Sequence, residues 1–150
     1  MAYESGGSGL WSTLDDYLKF AKLFLGDGAV DGGRLLCTET LARMMTNQLT
    51  YSQRVSSAWL GRRPFAVGRG FGFGVSVVLE TDHTDWMRRG GVGTVSWPGA
   101  YGGWWQADPN DGSIFIFLAH NMVDLEQMAA GIGLGVWMAI DDYQKAAFAP

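Results

Sequence analysis

Residues 92–120 read VGTVSWPGAYGGWWQADPNDGSIFIFLAH, and this stretch decides the fold. It contains three short apolar runs, at 92–97, 101–107 and 113–120, each with the length and composition of a strand. Residues 108–112 (DPNDG) join the last two runs, and their proline and glycine supply the fixed φ and the positive φ that tight turns use. The stretch therefore predicts an antiparallel meander.

A further strand is predicted just upstream, at residues 71–79. Bulky and small residues alternate there, and the bulky ones are Phe71, Phe73, Val75, Val77 and Leu79. Such alternation places the bulky side chains on one face and the small ones on the other. Antiparallel strands are thus expected within residues 70–120.

A helix is predicted near the start of the chain. Residues 12–16 (STLDD) are a capping signal, in which a hydroxyl and a carboxylate satisfy the first free amides, and apolar residues recur at helical spacing from Leu14 to Leu25. Gly26 is predicted to end this helix in the left-handed conformation.

A second, shorter helix is predicted to begin at a Thr38 cap, with Leu41, Met44 and Met45 on its apolar face. Residues 46–69 show no convincing period. They are predicted to form a long surface loop, which in a compact domain often covers a site.

A long helix is predicted over residues 121–147. Asn121 can cap it, and an apolar stripe from Met122 to Tyr143 should pack across the sheet. Its uncharged core, 128–140, is shorter than the roughly 20 residues that span a bilayer, so no membrane span is expected. The predicted fold class is α+β, with two N-terminal helices (1–69), an antiparallel sheet (70–120) and a C-terminal helix packed on it.

Composition indicates one soluble, folded domain. The chain has 150 residues, of which 47% are hydrophobic and 17% charged, which is too apolar for disorder. The net charge is -4, and no basic run is long enough to follow a phosphate backbone, so nucleic acid is not an expected partner. The largest basic group, Arg62 and Arg63 with Arg69 nearby, is interpreted as a solvated loop.

No metal or other cofactor is expected. Cys37 is the single cysteine, which excludes an internal disulfide, and it is predicted to be a small buried residue. His83 and His120 lack the spacing of zinc ligands, and Gly70 to Gly74 lack the strand-to-helix context of a phosphate loop. The first residues carry neither the basic nor the apolar region of a signal peptide, so a cytoplasmic and a periplasmic or secreted location both stay open for the parent protein.

The nucleophile of a serine hydrolase is missing from the sequence. It contains no Gly-x-Ser-x-Gly and no Tyr-x-Asn, and none of Lys19, Lys22 and Lys145 has a serine three residues before it. Residues 92–109 place many glycines beside tryptophans. Glycine weakens strands unless backbone or ligand must come close, and from the residues alone, tight packing in an aromatic core is the favoured interpretation.

Four blocks follow one another along the chain. They are residues 6–20 (GGSGLWSTLDDYLKF), 32–40 (GGRLLCTET), 70–75 (GFGFGV) and 97–100 (WPGA). In this order they resemble the C-terminal part of the serine β-lactamase-like family, which includes class C β-lactamases, esterases, DD-peptidases and penicillin-binding proteins. The last block falls where that family has Lys-Thr-Gly or its His-x-Gly and Trp-x-Gly variants.

The resemblance implies a β-lactamase/transpeptidase-like α/β/α sandwich, with residues 1–150 as the C-terminal portion of a single domain. It implies that Ala100 supplies an oxyanion-hole amide and that Trp97, Pro98, Gly99 and Tyr101 bind substrate. The family's Ser-x-x-Lys and Tyr-x-Asn elements precede the matched region. Pro98 departs from Lys-Thr-Gly by removing a hydroxyl and an N–H, which favours esterase or peptidase activity over β-lactamase activity.

The first hypothesis is therefore a C-terminal fragment of a serine hydrolase that acts on a small ester or amide and is inactive alone. A second is a non-catalytic binding module that uses Tyr101, Trp104 and Trp105, although alternation would send the two tryptophans to opposite faces. A third is a fragment that completes a partner chain, either the missing N-terminal part or a second copy.

Overall fold

The structure, a computed structural model, describes residues 9–58, 65, 68–81, 90–122, 124, 126–127, 130–132 and 134–147. Within these residues the helices are α1 (Leu14–Lys22), α2 (Thr38–Met44), α3 (Tyr51–Ser56) and α4 (Leu134–Ala147). A small hairpin pairs β1 (Ala29–Val30) with β2 (Gly33–Arg34). The main sheet contains β3 (Arg69–Phe71), β4 (Ser76–Val78), β5 (Val95–Pro98), β6 (Trp104–Asp108) and β7 (Ser113–Phe117).

The main sheet is an antiparallel meander in the order β3-β4-β5-β6-β7. The predicted turn at 108–112 is confirmed, since the Gly112 N–H donates to the Asp108 carbonyl at 3.0 Å and Gly112 has a φ of +73°. The register places Trp97 opposite Trp105 and Pro98 opposite Trp104. Short connections join β3 to β4, β5 to β6 and β6 to β7, whereas residues 79–94 separate β4 from β5.

The single strand predicted at 71–79 is wrong, because the chain reverses within it. Gly74 adopts a φ of +79°, and the Gly72 N–H donates to the Val75 carbonyl at 2.8 Å, so β3 and β4 form a hairpin. A period of two continues on both arms of a tight hairpin, and alternation alone does not reveal the reversal.

Helix α1 begins as predicted and ends earlier than predicted. The Thr13 hydroxyl accepts the Asp16 N–H at 3.2 Å, which caps the first turn. The helix stops at Lys22, and Gly26 is not left-handed. The positive φ of +90° belongs instead to Gly28.

Trp104 and Trp105 lie on opposite faces of β6, as alternation predicted, and each anchors a helix. Trp105 packs against Phe20 and Phe24 of the α1 region, with ring centroids 5.4 and 5.1 Å away. Trp104 packs with Ile140 of α4, so the predicted packing of the C-terminal helix on the sheet is confirmed. The described residues form a helix, sheet and helix in three layers.

The boundaries of the other helices differ from the prediction. Cys37, not Thr38, is the residue before α2, and it makes no side-chain capping bond. Helix α3 lies inside the predicted loop, where Thr50 and Gln53 form a capping box. The predicted C-terminal helix is interrupted at Gly131, with a φ of +81°, so that α4 starts only at Leu134.

Asp124, not Asn121, has the bonds of a helix cap at the start of this region. Its carboxylate accepts the Gln127 N–H at 2.8 Å, and the Gln127 side chain accepts the Asp124 N–H at 3.0 Å. This reciprocal pair satisfies two amides that a helix start leaves open.

Two side chains have the opposite burial from the prediction. Cys37 is exposed, and its Sγ lies 2.8 Å from the Thr40 hydroxyl. Arg69 is fully buried within the sheet, so it does not belong to a solvated loop. Arg62, Arg63 and His83 lie outside the described residues.

None of the described helices is both long enough and apolar enough to cross a bilayer.

Candidate functional site

The predicted site residues run from the end of β5 into the turn that joins β5 to β6. The Gly102 N–H donates to the Gly99 carbonyl at 3.0 Å, and the Gly99 N–H donates to the Gly103 carbonyl at 2.8 Å. Gly102 has a φ of +85°, which glycine adopts without strain. These bonds fix the backbone and leave Ala100 and Tyr101 at the exposed tip.

Tyr101 ties this turn to the chain that follows β7. Its ring stacks on His120 with centroids 4.8 Å apart and planes 19° apart. The Asn121 N–H donates to the Tyr101 carbonyl at 2.9 Å. The tip is therefore held from two directions.

Trp97 belongs to an aromatic group that we call the Trp97 cluster, formed by Phe65, Phe71 and Trp97. Phe71 meets the indole at 4.9 Å with planes 68° apart, and Phe65 lies parallel to it, at 6.5 Å and 7°. Phe65 and Phe71 also touch, at 5.5 Å. Trp97 nevertheless keeps 37% of its surface exposed, so the cluster offers an indole surface to solvent beside the turn.

Ser96 is the serine nearest to the turn in the sequence, and it cannot act as an exposed nucleophile. It is 3% exposed, and its oxygen accepts from Arg69 Nη2 at 3.4 Å. Arg69 also donates from Nε to the Ser76 hydroxyl at 2.8 Å. This buried network joins β3, β4 and β5, and sequence analysis missed it.

Asp108 lies at the other end of β6, away from the turn. Burial raises the pKa of its carboxyl, but the hydrogen bonds from Gly91 and Asn110 outweigh that effect and hold the pKa below its ordinary value. The carboxylate is 3% exposed and fixes loops. It has the surroundings of a structural residue, not of an acid or base in a cleft.

No group of three or more His, Cys, Asp or Glu side chains that could hold an ion occurs in the described part of the chain.

Comparison with known proteins decides the family. The family profile described as Beta-lactamase matches residues 1–135. The chain belongs to the beta-lactamase family. The match includes the β5–β6 turn and all five predicted site residues.

Two curated proteins from Mycobacterium tuberculosis are similar in sequence. They are Protein Rv1367c of strain ATCC 25618 / H37Rv and Uncharacterized protein MT1414 of strain CDC 1551 / Oshkosh, each 48% identical over 132 residues. The alignment covers 87% of this chain and 32% of each relative. The chain thus spans about a third of the length of the curated relatives it matches.

Solved structures of two proteins share the fold. EstCE1, described as a hydrolase with promiscuous acyltransferase activity, aligns with a TM-score of 0.57 and 23% identity over 85% of this chain and 28% of its own. Unliganded simvastatin synthase (LovD) from Aspergillus terreus aligns with a TM-score of 0.56 and 21% identity over 86% of this chain and 33% of its own. At these identities the likeness concerns the fold.

The structure thus places Trp97 and Pro98 at the end of β5 and Gly99, Ala100 and Tyr101 in the turn that follows. Pro98 is half-buried and the other four are exposed. Phe65 and Phe71 were not among the predicted site residues, because only the folded chain brings them to Trp97.

Proposed function

We propose that this chain forms one wall of the active site of a serine hydrolase that cleaves an ester or amide through an acyl-enzyme. The nucleophile and its base would come from polypeptide outside this sequence, which contains neither Ser-x-x-Lys nor Tyr-x-Asn. Residues 1–150 would then be the C-terminal portion of one α/β/α domain. The chain alone would be inactive.

The observation that carries the proposal is the fixed, exposed turn with Ala100 at its tip. Among the described residues the Ala100 N–H has no hydrogen-bond acceptor. A free amide on a rigid turn is the donor that a developing oxyanion needs, because it requires no rearrangement when the charge forms. The second donor of the oxyanion hole would belong to the nucleophile's own segment.

Pro98 favours esters or peptides over β-lactams as substrates. A Lys-Thr-Gly element offers a cation, a hydroxyl and an N–H. Trp97-Pro98-Gly99 has an indole in place of the cation, and Pro98 has neither a hydroxyl nor a backbone N–H. The wall therefore has little with which to bind a substrate carboxylate. EstCE1, which shares the fold, is described as a hydrolase with acyltransferase activity, and this supports acyl chemistry.

The alternative binding module loses most of its support. Trp104 and Trp105 are 3% and 6% exposed and lie on opposite faces, so they cannot present a common platform. Completion of a partner chain remains a proposal. It is supported by the share of the relatives that the chain spans and by β7, which has no strand on its outer side among the described residues.

A sequence reading and a labelling experiment together test the hydrolase proposal. The DNA upstream of residue 1 is read in frame for Ser-x-x-Lys followed by Tyr-x-Asn. The longer polypeptide and the 150-residue chain are then treated with a fluorophosphonate and with p-nitrophenyl acetate. We expect a covalent adduct on the longer polypeptide alone, and labelling of the short chain or of neither would contradict the proposal.

The role of Ala100 is tested in the same longer polypeptide. Ala100→Pro removes the amide and should lower kcat by about 10²- to 10³-fold. Ala100→Gly keeps the amide and is the matched control. An unchanged kcat in a folded Ala100→Pro variant, checked by near-UV circular dichroism, would remove Ala100 from the oxyanion hole.

A further inference from the structure

The Trp97 cluster is rigid on the side that meets the rest of the protein. The Phe71 N–H donates to Asn47 Oδ1 at 3.1 Å, and the Phe71 carbonyl accepts the Gln48 N–H at 2.8 Å. Phe71 is thereby held on the segment that follows α2, and Phe71 and Phe65 in turn confine the indole. An aromatic surface that is already ordered loses little side-chain entropy when a ligand contacts it.

Two arginines lie near the cluster: Arg69 of β3 is fully buried and donates to the Ser76 and Ser96 hydroxyls, and Arg54 donates to the Arg69 carbonyl at 3.2 Å. The rest of the strand segments around the cluster is uncharged. Residues 70–79, which contain Phe71, and residues 90–107, which contain Trp97, include no Asp, Glu, Lys or Arg. The three side chains of the cluster provide only the indole N–H as a polar group. A ligand carboxylate or a set of hydroxyls placed against these three side chains would lose hydration and gain only the indole N–H as a partner.

The cluster is also close to the proposed oxyanion amide. Trp97 and Ala100 are three residues apart, and three extended residues span at most about 11 Å. A substrate carbonyl bound at the Ala100 N–H can therefore place a ring-sized acyl group against the indole.

We propose that Phe65, Phe71 and Trp97 form the acyl-binding wall, and that this wall selects a neutral acyl group with an aromatic or similarly bulky apolar end. The inference rests on the proposed function for the position of the carbonyl. It adds Phe65 and Phe71 as specificity-determining residues and names the substrate class.

The wall can be tested by binding alone, with the 150-residue chain and three small probes. Phenylacetamide is neutral and aromatic, phenylacetate has the same ring with a negative charge, and acetamide lacks the ring. Saturation-transfer NMR, together with the indole N–H resonance assigned through Trp97→Phe, reports binding. We expect saturable binding of phenylacetamide. Acetamide should bind at least threefold more weakly, because it lacks a stacking contribution of about threefold to tenfold, and phenylacetate should bind more weakly because its carboxylate loses hydration at the cluster.

Matched variants identify the surface that binds. Trp97→Ala should weaken phenylacetamide binding by about tenfold, and Trp97→Leu, which keeps an apolar side chain, should also weaken it. Trp11→Ala is the control, because Trp11 is 92% exposed and lies outside the cluster. Near-UV circular dichroism checks that each variant is folded.

Three outcomes would contradict the proposed acyl-binding wall. They are no saturable binding of phenylacetamide, equal affinity for phenylacetamide and phenylacetate, or an unchanged affinity in both Trp97 variants. Since the assay needs no nucleophile, its result is independent of acyl-enzyme formation. Failure of the labelling experiment would overturn the hydrolase proposal, whereas failure here would overturn the acyl-binding wall only.

Discussion

The buried carboxylate of Asp108 accepts a hydrogen bond of 2.8 Å from the backbone N–H of Gly91. The same carboxylate accepts the Asn110 N–H at 2.8 Å and its side-chain amide at 2.7 Å. Asn110 in turn donates to the Val92 carbonyl at 2.9 Å. One side chain thus joins the segment before β5 to the turn after β6, and it does so at the end of the sheet opposite the Ala100 turn.

Replacing Asp108 by Ala should destabilise the fold by about 2 to 3 kcal/mol, since buried donors are left without an acceptor. Urea denaturation measures this change. Asp31→Ala is the control, because Asp31 is exposed and surface substitutions usually stay within about 0.5 kcal/mol. Equal midpoints for the two variants would show that the Gly91–Asp108 contact contributes nothing.

The lowered pKa of the Asp108 carboxyl makes the stability of the fold depend on pH. Its pKa is lower in the folded chain than its ordinary value, so the unfolded state binds the proton more readily. This contribution is fully present above the ordinary Asp pKa of about 3.9 and is lost as pH falls towards the folded value.

Asp108→Asn should therefore show a smaller loss of stability than the wild type between about pH 6 and pH 3. Urea midpoints at several pH values provide the comparison. Other carboxyls titrate in both proteins, and the difference between the two curves isolates Asp108. Parallel curves would contradict the prediction.

Gly72 lies where a strand meets the end of α2, and no side chain fits there. A Cβ at this position would be 1.8 Å from the Met44 carbonyl oxygen, so Gly72→Ala must displace backbone. We expect a loss of about 3 kcal/mol, measured by thermal or urea unfolding.

Gly26→Ala is the matched control for Gly72→Ala. A Cβ on Gly26 would meet its nearest atom at 3.6 Å, and its φ is not positive, so the change should be neutral or slightly stabilising. Equal effects at Gly26 and Gly72 would contradict the close approach to Met44.

Features that depend on neighbours in the sequence could be predicted, and features that depend on folding could not. The capping signal at residues 12–16 and the turn at 108–112 are local, and both were predicted correctly. Helix α3 was missed because it has no buried residue and so no apolar period. Its Thr50 and Gln53 carry the capping-box signature, which was present in the sequence and could have located it.

The candidate site shows the same division. The turn from Trp97 to Tyr101 could be found from its motif, since its residues are consecutive. The contact between Trp97 and Phe71, and the bond from Arg69 to Ser96, depend on strand register and on the β3–β4 reversal. A shift of one residue in register would turn these side chains to the other face. The sequence pattern alone does not determine the register, so it could not predict these contacts.

Replacing each of the two tryptophans of β6 should raise hydrogen exchange in a different helix. Trp105→Ala removes the partner of Phe20 and Phe24, and Trp104→Ala removes the partner of Ile140. Each change should cost about 3 to 5 kcal/mol. Native-state hydrogen exchange should then rise first in α1 for Trp105→Ala and first in α4 for Trp104→Ala, because each helix loses its own anchor. If each variant raised exchange equally in both helices, the layers would not be anchored independently, and the sheet would have to unfold as one unit with both of them.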